Sequence, residues 1–465
     1  MCETPRVGDF PDSQGSTTDE NNWLRSWSNE LYLWYDEIVD EDPELFTTPE
    51  YFDLMKTFAT TPSGAEKDRF HFTIPTAEWT ALSQSGVSAG YGAEFIVVSG
   101  APPREVVVAF TDPNTPAAQA SLARGARILE VDGADVAFSD DVDTLNNGFF
   151  PSAPGESHTF LVRDLGAAST RTITLVAESV TADPVQFERV IDTPSGPVGY
   201  LFFSTHIATA EKQLIDAVTF LAAQSITDLV LDLRYNGGGF LDIANELAYM
   251  IAGPSAASGR TFDELVFNDQ HPVTNPVTGE ALAPEPFHET TQGFSTDAGE
   301  PLPSLNLPRV FVLGGTGTCS ASESIINGLR GIDVEVILIG GTTCGKPYGT
   351  YAFDNCGTSY FSIQFGSVNA KGFGDYGDGF SPANLSQAPG IRLPGCGVAD
   401  DYNSALGDSN EARLAAALSY RATATCPAAS AVTQNLLTAS KPIRVEAKAG
   451  PALAGRGMPG RVQVR

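Results

Sequence analysis

Between residues 22 and 59 the large apolar side chains fall three and four positions apart, with Trp23, Trp27, Leu31 and Trp34 forming one stripe. That period predicts helix, and the stripe is the packing face of a small helical domain, assigned to residues 1–75. From about 77 to 177 the period shortens to two. EVVVAF, ARILEVDG and HTFLVRD predict strands, with TPAAQASLARG a short helix between the first two, so 76–180 form a β-rich domain. Beyond that, strands and helices alternate: VGYLFFSTH, then TAEKQLIDAVTFLAAQ, DLVLDLR, LDIANELAYMIAG, RVFVL, a further helix, and VEVILIGG. Such alternation predicts a layered α/β core over 181–428 and a multi-domain α+β chain as a whole. Residues 254–308 interrupt it with a polar stretch rich in Pro, Gly and Thr, expected to be a functional lid or a mobile insertion. The small-residue, locally basic end, 429–465, is expected to be a disordered tail.

Composition narrows the function. The 465 residues carry a formal charge of −30, which argues against nucleic acid as a partner, since phosphate would be repelled. No window of about 18 apolar residues offers a membrane span, and the opening MCETPRVGDF has no apolar signal stretch. Cys2 directly after Met1 fits either an incidental cysteine or the lipid-bearing residue of an envelope lipoprotein. Of six cysteines, Cys344–Cys356 and Cys396–Cys426 are expected to pair in an oxidising compartment. The histidines and cysteines lack metal-ligand spacing, and no cofactor is implied.

Two glycine-rich junctions stand out. GGTGTCSASESIINGLRG (314–331) passes from an apolar strand into a helix through three glycines, a cysteine and two serines. A serine at such a junction sits beside orphan helix N–H groups that stabilise negative charge. If Ser320 attacked a carbonyl, the Ala321 N–H would be placed to hold the oxyanion. A serine needs a base. No histidine has a matching motif, whereas Lys346 follows the apolar strand VEVILIGG within TTCGKPYG, and burial there would favour its neutral form. LVLDLRYNGGGFL ends a second apolar strand in three glycines whose N–H groups are unobstructed by Cβ atoms. Taken singly, each motif is explained by a tight turn.

Order and context together resemble the S41 serine peptidases, the C-terminal processing or tail-specific proteases. DLRYNGGG is similar to the family's D-L-R-x-N-x-G-G, CSASE to its S-A-S-E, and TTCGKPYG to its T-x-G-K. The resemblance implies a crotonase-like α/β core, a nucleophile at Ser320, a base at Lys346 and an oxyanion hole from Gly238 and Ala321. Ser322 becomes a structural hydroxyl. SAGYGAEF followed by AFTDPNTPAAQASLARGARILEVDG resembles a PDZ domain, which would put Gly90, Tyr91 and Gly92 at a loop gripping a substrate's C-terminal carboxylate. Protein or peptide substrates in a bacterial cell envelope follow from the same resemblance.

Two positions depart from the pattern. Thr350 stands where many members have a lysine-orienting glutamine, with Gln364 the substitute on the next strand, and Asp333 is the nearest acidic residue between serine and lysine. Lys371 reads as a loop lysine. A bridge from Cys344 to Cys356 would fix the base, leaving Cys319 a buried thiol. The competing readings are a catalytically silent binding protein on the same fold and a protease kept latent by 254–308.

Overall fold

A computed structural model describes residues 1–7 and 11–427, together with the backbone of a two-residue strand, Arg461–Val462. The expected disordered tail, 429–465, otherwise lies outside the described residues.

The centre is a six-stranded sheet. Phe187–Ile191 runs antiparallel to Val198–Phe202, which is followed in parallel by Asp228–Asp232, Arg309–Gly314, Glu335–Gly340 and Gly395–Gly397. Val198–Phe202 and Asp228–Asp232 are buried throughout, as strands covered on both faces must be. The two-residue side-chain period divides each strand between two cores. Leu201, Leu229, Leu231, Val310 and Leu338 face the helices Ala210–Ala223, Leu241–Ala252 and Ala321–Gly331. Tyr200, Val230, Phe311, Ile337 and Ile339 face the helix Ala412–Thr423 and Ala109 of the β-rich region.

That region forms a second sheet in the order Ala93–Ser99, Glu105–Thr111, Arg127–Val131, Ser157–Arg163 and Arg171–Val176, closed over its own apolar cluster. Ala93–Ser99 is its edge strand, and the helix Val142–Phe149 packs near it, with Phe95 and Phe149 rings 5.1 Å apart. Arg124 ties this unit to the central one, donating to Ala109 O, Ser404 O, the Tyr235 hydroxyl and Asp400.

The N-terminal helix runs Thr17–Leu31, started by Ser16 and Asp19 bonding each other's backbone. It stops short of Trp34, so the predicted stripe is split. Tyr32 is extended, and Leu33 donates to Ile363 O at 2.8 Å. Trp23 and Trp27 stay with the helical cluster, while Trp34 packs edge-on against Tyr348 at 4.8 Å. Phe72–Pro75 pairs with Thr358–Phe361, carrying this segment onto the central unit.

Residues 254–308, expected as a lid or mobile insertion, are packed into the central unit. Thr261–Val266 pairs with Phe365–Val368, and Phe262, Phe287, Leu302 and Leu307 enter the main core. The buried Glu211 carboxylate accepts four backbone N–H groups, from Gln292, Gly293, Ser295 and Thr296. Its neighbour Glu246 is pushed up to about 9 by burial and by Glu211's charge, which keeps that carboxyl protonated at neutral pH.

Only one expected disulfide, Cys396–Cys426, forms. Cys344 pairs with Cys319, and Cys356 with Cys2. The chains leaving the neighbouring strands Arg309–Gly314 and Glu335–Gly340 bring Cys319 and Cys344 together, with Cα atoms 5.1 Å apart, while Cys356, just after the strand Phe353–Asn355, meets Cys2. Cys319 is therefore not a free thiol, and the Cys2 sulfur is engaged in a bridge rather than open to lipidation.

Candidate active site

The predicted catalytic residues meet at the carboxyl ends of the parallel strands, where such sheets build their sites. Arg309–Gly314 and Glu335–Gly340 are neighbours in register, Gly314 opposite Gly340, so the chains leaving them start side by side. One leads to Ser320 and the other to Lys346.

Ser320 opens the helix Ala321–Gly331 at φ 58°, ψ −115°, a conformation that a residue with a Cβ adopts only when its surroundings impose it. The surroundings are hydrogen bonds. Thr318 Oγ1 donates to Leu233 O at 2.8 Å, Cys319 N–H to Asn236 O at 3.1 Å, and Ser322 Oγ to the same oxygen at 2.9 Å. Ser322 is thus the structural hydroxyl expected of it. Ser320 Oγ is buried with no hydrogen-bond partner, at the N-terminus of the helix that begins with Ala321.

The glycine loop lies against this turn. Gly238 has φ 104°, and a Cβ there would come within 2.9 Å of Ser320 Cβ and 3.1 Å of Ala321 N. Only glycine permits this approach. Its N–H, however, donates to Asn236 Oδ1 at 3.0 Å, so the expected oxyanion donor is engaged within its own loop. The same oxygen faces His206 Nδ1 at 2.9 Å, and Asn236 Nδ2 donates to Phe203 O. Burial lowers His206 to about 3 and keeps the ring neutral; its Nε2 is buried without a partner.

Lys346 is fully buried, with Nζ 4.6 Å from the centre of the Phe70 ring. Gln364, the substitute expected for the glutamine missing at Thr350, is engaged with the backbone of Tyr351. Its amide binds the Tyr351 backbone at both ends, Oε1 accepting at 3.0 Å and Nε2 donating at 3.2 Å, and Thr350 Oγ1 donates to Tyr351 O. Asp333 and Lys371 pair with one another at the exposed surface.

Sequence reasoning missed the residue that joins serine and lysine. Glu323 is buried, and its Oε2 accepts the N–H of Ser320 at 3.1 Å and of Lys346 at 2.8 Å. Oε1 accepts Gly345 N–H at 2.9 Å and the Thr343 hydroxyl. Burial raises its pKa, and these donors offset the rise. The signal was the E of S-A-S-E, three residues into the helix and placed to reach back to its start. Behind the site Arg234 binds Asp232, Asp400 and Glu411, and the charges of Arg413, Arg234 and Arg124 outweigh burial to hold Asp400 well below the usual carboxylate range.

The predicted carboxylate loop differs. Tyr91 is turned inward, its hydroxyl donating to Gly148 O at 3.0 Å and its ring 5.7 Å from Phe160. Gly92, at φ 72°, lies against Thr115, and Gly90 ends the strand Val87–Gly90.

Comparison with known proteins agrees with the central unit. Residues 197–354 match peptidase family S41. A chloroplastic C-terminal processing peptidase of Tetradesmus obliquus is 27% identical over 273 residues, covering 56% of this chain and 52% of that protein. A carboxyl-terminal-processing protease of Picosynechococcus is 25% identical over 271 residues, covering 57% and 56%. The chain thus spans about half the length of the curated relatives it matches. A crystal structure described as an S41 protease from Bacteroides fragilis superposes with a TM-score of 0.64 at 22% identity, covering 90% of this chain and all of that one, and shows a shared fold. The family match and these relatives support an S41 peptidase.

Proposed function

We propose that this chain is a serine endopeptidase acting through Ser320 and Lys346. The observation that carries the reading is the strained Ser320 with its unpartnered, buried hydroxyl, whose N–H shares one carboxylate oxygen with that of Lys346. Ser320 Oγ attacks the scissile carbonyl while Lys346 takes the proton and returns it to the leaving amine; water then releases the acyl group. Burial of Lys346 favours the neutral amine that a base must be. Ala321 N–H holds the oxyanion, and Gly238 N–H joins it once released from Asn236 Oδ1.

The substrates are proteins with an accessible C-terminal region, as the names of the relatives indicate for those proteins. The β-rich unit acts as a PDZ domain. Its half-buried edge strand Ala93–Ser99, next to the helix Val142–Phe149, is open to strand addition by an extended peptide. Since Tyr91 belongs to the unit's own core, any carboxylate grip rests on the backbone of residues 90–92. Three disulfides among the described residues fit a compartment outside the reducing cytoplasm. No helix among the described residues is long and apolar enough to cross a membrane.

The test is casein hydrolysis by wild type, Ser320→Ala and Lys346→Ala across about pH 6 to 10. Wild type is expected to cut faster as pH rises, and each variant to lose at least about 1,000-fold in rate while keeping its melting temperature. An inert wild type whose Ser320 also resists a fluorophosphonate would overturn the reading in favour of a binding protein.

A further inference from the structure

The Cys319–Cys344 bridge lies closer to the chemistry than a disulfide serving stability alone requires. Cys319 directly precedes Ser320, and Cys344 stands two residues before Lys346. The other two bridges lie elsewhere: Cys2–Cys356 holds the N-terminus, and Cys396–Cys426 joins the edge strand Gly395–Gly397 to the segment after the last helix. Cys319 lies just ahead of the S-A-S-E match and Cys344 at the variable position of the T-x-G-K match.

We propose, resting on the peptidase reading, that Cys319–Cys344 is a positioning element that sets Lys346 against Ser320. The parallel register stops at Gly314 and Gly340, so beyond those residues the sheet no longer dictates the spacing of the two chains. What replaces it is the Glu323 carboxylate, the hydrogen bond from Cys344 N–H to Thr318 O at 3.0 Å, and the covalent bridge. The bridge also packs on the side of the lysine's surroundings. Cys319 and Cys344 lie against the cluster of Tyr32, Phe70 and Ile363, together with Trp34 and Tyr348, and Phe70 is the ring over which Lys346 Nζ sits. Arg69, next to Phe70, donates to Cys344 O, which ties the wall to the bridge. The charged and titratable groups around this unit include Glu323, Arg69, Lys67 over the Trp34 ring, His71 beside Asp68, Asp68 itself, whose carboxylate accepts from Phe70 N–H and the Tyr32 hydroxyl, and Tyr348. Both cysteines are partly exposed, which leaves the bridge within reach of a small dithiol. Reduction would give two thiols as the dithiol closes to its own disulfide.

The experiment compares wild type with the double variant Cys319→Ala/Cys344→Ala, using Cys396→Ala/Cys426→Ala as the control. Activity is resolved into kcat and KM across pH, and Lys346 is followed by NMR of 13C-lysine-labelled protein, with Lys346→Arg to assign its signal and Lys371 as an internal reference. With the bridge gone, kcat is expected to fall about 10- to 100-fold with KM within about twofold. The Lys346 titration midpoint and the pH limb of activity should shift together, while the control and Lys371 stay put. A folded double variant with unchanged kcat and an unmoved Lys346 midpoint overturns the inference. Should the double variant not fold, dithiol reduction of folded wild type and its reoxidation give the same readouts, and loss must then be reversible. If wild type hydrolyses nothing, the peptidase reading fails on its own, and the Lys346 titration still decides whether the bridge positions the lysine.

Discussion

Two glycine loops in this molecule were expected to do chemistry, and the structure treats them in opposite ways. At Gly237–Gly239 the backbone runs up against Ser320, a serine in a left-handed conformation with an unpartnered hydroxyl, and a neutral histidine lies behind the loop. At Gly90–Gly92 the intervening Tyr91 closes a core, with its hydroxyl bonded and its ring edge-on to Phe160. Glycine in both places permits close approach. In the first the approaching group is a candidate nucleophile; in the second it is a threonine side chain of the same unit. A glycine-rich motif therefore reports that two segments touch, and what they touch decides whether the contact is catalytic.

The sharpest way to break the contrast is a matched pair of substitutions. Gly238→Ala drives a methyl into Ser320 and Ala321, and kcat on a short peptide is expected to fall by about 100-fold or more. Gly92→Ala places its methyl on Thr115 and is expected to lower the melting temperature of the β-rich unit while the short peptide is still turned over. Equal kinetic losses in both would erase the distinction.

A smaller effect separates the two regions by pH. His206 titrates at about 3 in the folded chain against 6.5 unperturbed, so between those values the unfolded chain binds a proton that the folded chain does not. Its contribution is present above about pH 6.5 and is lost as pH falls toward 3. His206→Gln keeps a partner for Asn236 and cannot titrate there, so chemical denaturation should show a flatter loss of stability with acid for the central unit. An unchanged slope would mean that other groups govern acid unfolding.

The smallest effect is on the second loop. Tyr91→Phe removes the bond to Gly148 O and is expected to cost about 1–2 kcal/mol in denaturant melts without changing kcat. A change in KM for substrates carrying a free C-terminal carboxylate, absent with amidated ones, would instead return Tyr91 to the binding surface.

Much of this was legible in the chain. Apolar runs of the right length gave the parallel strands, because burial on both faces needs continuous hydrophobic sequence, and the alternating segments gave the second sheet. Ser320, Lys346 and Ala321 became candidates through local motifs, since a strand-to-helix turn is itself a local event, and Gly238 through the family resemblance. The helix stripe failed at Trp34, where a bond from Leu33 to Ile363 O, far along the chain, outweighs helical period. Residues 254–308 looked loose because polar composition does not reveal a buried carboxylate waiting to accept their N–H groups.

The sequence by itself therefore determined the central strands and their helices and pointed to a candidate nucleophile and a candidate base, each from a motif of a few consecutive residues. Only the tertiary structure decided that Cys344 pairs with Cys319, that one carboxylate of Glu323 serves both Ser320 and Lys346, and that Gly238 N–H is held by Asn236. Those are contacts between segments that lie apart in the chain, begun by the register of neighbouring strands and completed by the loops that leave them. No period or motif within one segment encodes that register.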